Sequence, residues 1–264
     1  MSHIYLKHLL AVAVVIFAAG AVFAQSFSDP MQFYVTYDNH KGKRHLTEDW
    51  GFAMYVEGAH LPVAFDAGAD AKILTNNMKK LDLDPDRTGS LVISHVHSDH
   101  IGGIDALLIK GLKVYLPTGA PASLIKKIKS KGAEPIIASE PTKIYTGVMT
   151  TGTVSYGETP EQGLLVETKE GWVLLTGCAH PGPAAMMEAA KKAVGQYPKT
   201  LIGGMHLKDT SEEKIVELAK KLKDMGVVRV GPGHCSGELA RQIFRAVFEH
   251  GYLGVDVGFR YLIN

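Results

Sequence analysis

Ser94-His95-Val96-His97-Ser98-Asp99-His100-Ile101-Gly102-Gly103 sets three histidines and an aspartate within six positions. The residues before it, Ser90-Leu91-Val92-Ile93, form a short apolar, β-branched run that reads as a buried strand. After it, Ile101 to Lys110 carries apolar residues at helical spacing, with two glycines that let backbones come close. The cluster therefore occupies a strand-to-helix turn. Alternate side chains of a strand share a face, so His95 and His97 point the same way, and the turn swings Asp99 and His100 towards a neighbouring point. Imidazole and carboxylate groups suit zinc, iron or manganese. A lone histidine on an apolar face is usually a satisfied core residue; four metal-competent groups at one strand end point to a metal.

Further along, three histidines recur at the same kind of place, past an apolar strand and inside a glycine-rich turn. His180 lies in Thr176-Gly177-Cys178-Ala179-His180-Pro181-Gly182, His206 in Gly203-Gly204-Met205-His206-Leu207, and His234 in Gly231-Pro232-Gly233-His234-Cys235-Ser236-Gly237. Strand ends along one sheet edge converge, so these histidines are expected near the first cluster. Between the motifs, strands and helices intersperse in both halves, which predicts an α/β fold with two sheets between helix layers. The pattern places helices over Ala71 to Leu81, Ala120 to Lys131, Pro183 to Val194, Ser211 to Met225 and Gly237 to His250, the last with Leu239, Ile243, Ala246 and Val247 inward.

His-x-His-x-Asp-His resembles the signature of the metallo-β-lactamase superfamily. Further motifs narrow the resemblance: the Asp38-Asn39 turn, Phe65-Asp66-Ala67-Gly68, Thr-Gly-Cys-x-His-Pro-Gly, Gly-Gly-x-His-Leu and Gly-x-His-Cys-x-Gly. Together they are similar to the 7,8-dihydropterin-6-methyl-4-(β-D-ribofuranosyl)aminobenzene-5'-phosphate synthase-like, or dihydropteroate synthase-like, subfamily, over about Met31 to Asn264. The resemblance implies the αβ/βα sandwich of two β-sheets flanked by helices. It implies that His95, His97 and His180 hold one metal, and Asp99, His100 and His234 a second. Many members place a bridging aspartate where Cys178 stands here. A thiolate at Cys178 either ligates a soft or borderline metal or sits inert beside it, so one or two ions remain open. His206 is expected beside the ligands or facing substrate, and Asp66 as acceptor for a histidine N–H. His40, His45, His60 and His250 have no motif support and read as surface residues.

The 264 residues are 46% hydrophobic, enough for a sizeable core. Residues 1–24 stand apart. Lys7 and His8 precede an apolar run from Leu9 to Phe23 that ends at Ala24, which reads as a secretory signal peptide, with an uncleaved anchor as the alternative. That leaves 25–264 as one domain, exported and periplasmic, without stable membrane association. Removing Met1 to Ala24 takes away one lysine and no acid, leaving 27 basic against 27 acidic residues. Such a balance gives no electrostatic reason to expect nucleic acid as a partner. Cys178 and Cys235 either pair as a disulfide or sit near the metal as thiols.

The function expected is a metal-dependent hydrolase acting on a small ester, phosphoester, lactone or amide. Zinc, one or two ions, is the expected cofactor, with iron or manganese as alternatives. Asp99 is expected to orient the attacking water and His206 to donate to the developing oxyanion. Two other classes fit the same ligands: a di-iron redox or gas-reactive protein, and a non-catalytic metal- or ligand-binding protein.

Overall fold

The computed structural model describes residues 30–263. The leader reading for residues 1–24 lies outside them. Thirteen strands in these residues run in chain order as β1 (Met31–Tyr37), β2 (Ala53–Glu57), β3 (Val63–Phe65), β4 (Ser90–Val92), β5 (Lys113–Leu116), β6 (Glu134–Ile137), β7 (Lys143–Tyr145), β8 (Val148–Thr150), β9 (Leu164–Thr168), β10 (Gly171–Thr176), β11 (Thr200–Gly204), β12 (Arg229–Gly233) and β13 (Arg260–Ile263). Six helices accompany them: α1 (Ala71–Lys80), α2 (Ser98–Ile101), α3 (Ala122–Ser130), α4 (Pro183–Val194), α5 (Glu212–Asp224) and α6 (Glu238–Phe248). One sheet has the order β13-β1-β2-β3-β4-β5-β6 and the other β12-β11-β10-β9-β8-β7.

Strand periodicity explains the layering. Phe33, Val35, Val63, Phe65 and Val92 face the second sheet, where Leu164, Val166, Val173, Leu175 and Ile202 meet them in one apolar cluster. The alternate residues Tyr34, Ala64 and Leu91 turn outward onto Leu74 and Met78 of α1 and Leu124 and Ile128 of α3. Leu165, Leu174 and Leu201 turn onto Met186 and Met187 of α4, Ile215 and Leu222 of α5 and Phe244 of α6. The result is the expected αβ/βα sandwich. Among the described residues no helix is long and apolar enough to cross a membrane.

Two expected elements differ. The helix over Ile101 to Lys110 is instead the four-residue α2 followed by a short 3₁₀ turn at Ile104–Ala106. Gly102 and Gly103 press against another loop there: a Cβ on them would lie 2.2 Å from the Ala69 carbonyl oxygen and 2.0 Å from that of Ala67. The chain must bend around that contact, so the helix stops. In α6 the buried residues are Ala240, Arg241, Phe244 and Phe248; of the expected inward residues Ile243 and Val247 are partly buried against the core, while Leu239 and Ala246 are exposed. Arg241 turns the helix. Its guanidinium is buried and donates to the carbonyl of Val255 at 2.6 Å and to the carboxylate of Asp256 at 2.7 Å.

The parallel strands matter most for function. β3, β4 and β5 run parallel in one sheet, and β10, β11 and β12 in the other. Ligand sites of α/β sheets form beyond the carboxyl ends of such strands. Here the residues just past β3, β4, β10, β11 and β12 are Asp66, the His95–His100 cluster, Cys178 with His180, His206, and His234 with Cys235.

Candidate metal centre

The structure brings the histidine motifs together. One ligand atom each of His95, His97 and His180 lies within 4.8 Å of the others, and the same holds for Asp99, His100 and His234. These groupings come from three separate segments and coincide with the two triads that the resemblance implies. His95 links them, its ring 4.7 Å from that of His97 and 4.1 Å from that of His100. Cys178 joins a further group with His95 and His100, its sulfur 3.3 Å from His100 Nε2. The thiol thus stands between the triads. Both cysteines are free thiols, not a disulfide. His206 lies at the mouth, exposed, its ring 4.6 Å from that of His180.

Four of the histidines are held by Nδ1, which leaves Nε2 for the centre. Asp66, fully buried, accepts from His100 Nδ1 at 2.7 Å. It also accepts from the hydroxyl of Ser94 at 2.7 Å, and that hydroxyl meets His95 Nδ1 at 2.9 Å. His234 Nδ1 meets Asn39 Oδ1 at 2.8 Å, while the neighbouring Asp38 carboxylate accepts from the His234 backbone N–H. His180 Nδ1 reaches Glu161 Oε2 at 2.9 Å. Acceptors of this kind fix the tautomer and ring orientation of metal-binding histidines. His40, read as a surface residue, is half-buried and bonds the same Asp38 carboxylate at 2.7 Å. His45, His60 and His250 are exposed.

Glu161 carries no motif signal and escapes sequence reading altogether. It is fully buried, and besides the His180 ring it accepts the consecutive backbone N–H groups of Cys178, Ala179 and His180 at 2.8–2.9 Å. Its neighbour Gln162 reaches the other way, donating to the carbonyls of Ile93 and Tyr115 beside β4 and β5. One dipeptide therefore ties the end of β10 to the end of β4. The only clue in the sequence is a buried-strand start, Gly163-Leu164, preceded directly by an acid and an amide.

The backbone is strained at the centre. Asp66, Ala179, His206 and His234 all have positive φ, between 47° and 59°, a region non-glycine residues seldom occupy. Each follows a parallel strand, where the chain must turn sharply to aim a side chain back across the strand ends. Gly177 supplies room instead: a Cβ there would sit 2.0 Å from Ser94 Oγ and 2.8 Å from Asp66 Oδ2.

Electrostatics suit a cation. Burial and the neighbouring His100 push His95 well below its ordinary range; burial and His234 hold His100 down at about 3; burial and His180 lower His97. Neutral imidazoles are the ligand form. Burial opposes charge on Asp99, but His234 at 3.3 Å and His100 at 3.7 Å outweigh it and keep the carboxylate well below its usual range. Burial likewise opposes charge on Glu161, yet the His180 ring and the backbone donors bring it down to about 2. Asp66 goes the other way, pushed up by burial against the pull of Ser94. The Nε2 atom of His95 is buried without a hydrogen-bond partner, and that of His234 meets only the Asp99 carboxylate, 3.3 Å away. Leaving such an atom unpaired costs about 1–3 kcal/mol. A cation bound to both triads removes that cost, so the residues fit the metal.

No family model matches the chain. A curated protein of Methanocaldococcus jannaschii, 7,8-dihydropterin-6-methyl-4-(β-D-ribofuranosyl)-aminobenzene-5'-phosphate synthase, is 25% identical over 243 residues, covering 74% of this chain and 82% of that one. Among solved structures, Tm1679, a metal-dependent hydrolase of the β-lactamase superfamily, aligns with a TM-score of 0.73 at 26% identity, covering 88% of this chain and 98% of that one. The metallo-β-lactamase fold protein YhfI from Bacillus subtilis aligns with a TM-score of 0.65 at 14% identity, covering 89% and 100%, a likeness of fold alone.

Proposed function

We propose that the chain, similar in sequence and fold to enzymes of the metallo-β-lactamase superfamily, is a metal-dependent hydrolase of a small ester, phosphoester, lactone or amide. The observation that carries this reading is the pair of contiguous triads, with the unpartnered, buried Nε2 of His95 among them. His95, His97 and His180 would hold one ion, and Asp99, His100 and His234 a second. Zinc suits such a donor set, as do iron and manganese. When bound, the cation supplies Lewis acidity and lowers the pKa of its water.

The chain's own residues supply the rest. Asp99, ionised and half-buried, would accept a hydrogen bond from the attacking water and so orient its lone pair. His206 stands at the mouth, where its ring N–H donates to the oxygen on which charge develops. The cleft outside, about 370 Å³, is lined by Trp50, His206, Lys208, Asp209, Thr210 and Cys235, and accepts a small molecule. Lys208 lies 5.3 Å from the Trp50 ring and offers a positive charge to an anionic substrate.

The Methanocaldococcus relative is a synthase, which favours a second reading. In it cations held by the same residues would assist departure of a phosphorylated group from a condensing substrate. Purified protein loaded with zinc, manganese or iron, presented with aryl esters, phosphomonoesters, phosphodiesters and lactones, separates the two. Turnover of one class, abolished by chelation and by His97→Ala, is the expected result. No turnover of any class by metal-replete protein would remove the hydrolase reading and leave the condensing one.

A further inference from the structure

We propose that Cys178, Cys235 and His206 form an additional, thiolate-rich cation position beside the histidine–aspartate centre, suited to a soft or borderline divalent ion such as zinc or cadmium. One ligand atom from each of the three residues lies within 4.8 Å of the other two. Nothing in the hydrolytic reading uses Cys235. Yet Cys235 is buried, its sulfur accepts the backbone N–H of His206 at 3.3 Å, and it faces the Cys178 carbonyl oxygen at 3.8 Å.

Three strand ends cooperate to gather the group, for Cys178 follows β10, His206 follows β11 and Cys235 follows β12. The middle strand leaves space for sulfur: a Cβ on Gly204 would lie 2.9 Å from Cys235 Sγ and 3.1 Å from Cys178 Cα. His206 takes a positive φ here, and its ring, exposed at the mouth, keeps a nitrogen within 4.8 Å of both sulfurs. Two thiolates balance the charge of a divalent ion, and sulfur selects soft or borderline metals over manganese. Three protein ligands leave a fourth position. His206 and Cys235 both line the cleft, so that position opens toward Trp50, Lys208 and Asp209 and takes an exogenous ligand. Cys178 belongs also to the group with His95 and His100, so an ion here shares a thiolate edge with the main centre. With the ion bound His206 is a ligand; without it the ring is free to face substrate.

The test is spectroscopic and independent of hydrolysis. Reduced, metal-free full-length protein is titrated with cadmium, and the ultraviolet thiolate-to-cadmium charge-transfer band is followed. Two thiolates per site are expected, with the band reduced to about half in Cys235→Ser. The charge-transfer band should survive in His206→Ala with affinity weakened by roughly ten-fold or more, in line with the effect of losing one supporting contact. In the unaltered native protein, cadmium should shield both thiols from a thiol reagent. A full-strength band in Cys235→Ser would mean that Cys178 alone ligates, and would overturn the proposal. Should Cys235→Ser not fold, thiol protection decides: shielding of one cysteine or neither in the unaltered protein overturns it equally.

Discussion

His97 and Glu161 show what a single residue contributes and what can be read about it in advance. His97 belongs to a dense run of ligand-type residues, so its chemistry is visible in the sequence itself. His97→Ala should lose the ion of the first triad and any hydrolysis while the protein stays folded. The stability lost is the linkage contribution of the metal, about 2.7 kcal/mol at a hundred-fold excess over Kd. His45→Ala, exposed and outside every motif, is the control. Metal content and circular dichroism on both variants check this, and full metal retention in His97→Ala would refute the ligand assignment. Glu161 was illegible because its role is a contact between residue 161 and the backbone of 178–180, which no local pattern announces. Glu161→Gln keeps the shape but loses the charge that holds the His180 ring. Metal affinity should fall roughly 10–100-fold, the usual cost of removing such a partner. Competition with a chromogenic chelator measures it; unchanged affinity would leave Glu161 a purely structural clasp.

At the scale of the element, central strands such as β4 were legible as short apolar, β-branched runs, because one face packs on the other sheet and the opposite face on helices. The short α2 was not, since what ends it is a neighbouring loop. Apolar spacing ran on past Gly102 and Gly103, but the carbonyls of Ala67 and Ala69 occupy the space where a longer helix would carry side chains. In α6 Ile243 and Val247 do pack against the core, but hydrophobic periodicity gives no credit to a buried guanidinium, so the centre of the buried face, at Arg241 and Phe244, was missed. The glycine contact gives a sharp expectation. Gly103 has an ordinary φ of −83°, so alanine there is penalised by sterics alone. Gly103→Ala should destabilise by about 1–3 kcal/mol, as overpacking does. Because the helix that carries Asp99 and His100 starts five residues earlier, metal affinity should weaken as well. A urea midpoint lowered at unchanged slope would bear this out; an unshifted midpoint would show that the loop yields freely.

Across the whole molecule, buried titratable groups make stability depend on pH. In the metal-free protein, His100 is held at about 3 against an ordinary 6.5, and His95 is lowered in the same sense. The unfolded chain takes up protons that the native state refuses, so their contribution is complete above pH 6.5 and lost as pH falls toward about 3. Glu161, depressed from 4.5 to about 2, withdraws its contribution as pH drops through that lower window. Asp66, raised by burial, acts in the opposite sense, as do His206, raised by Cys235, and His234, raised against burial by Asp99, and together they offset part of the loss. Metal-free protein should therefore show a midpoint that declines as pH falls from 6.5 toward about 3. Thermal unfolding from pH 8 to 4 checks this, and a midpoint that rises on acidification would contradict it. The fold class was readable at this scale because repeated strand-then-turn motifs imply parallel strands with a shared carboxyl edge. The coupling of the two sheets through Glu161 and Gln162 was not, since it joins residues far apart in the chain. The pairing of β1 with β13 has a practical meaning of its own. Met31 lies opposite Ile263, while β1 runs from there to Asp38, which grips the His234 backbone. Residues 31 and 263 therefore sit side by side, about 23 Å of strand away from the cleft. A bead, a surface or an affinity handle attached beside them, at the exposed Pro30 or Leu262, would hold the molecule by its back, with the mouth turned outward to whatever diffuses past.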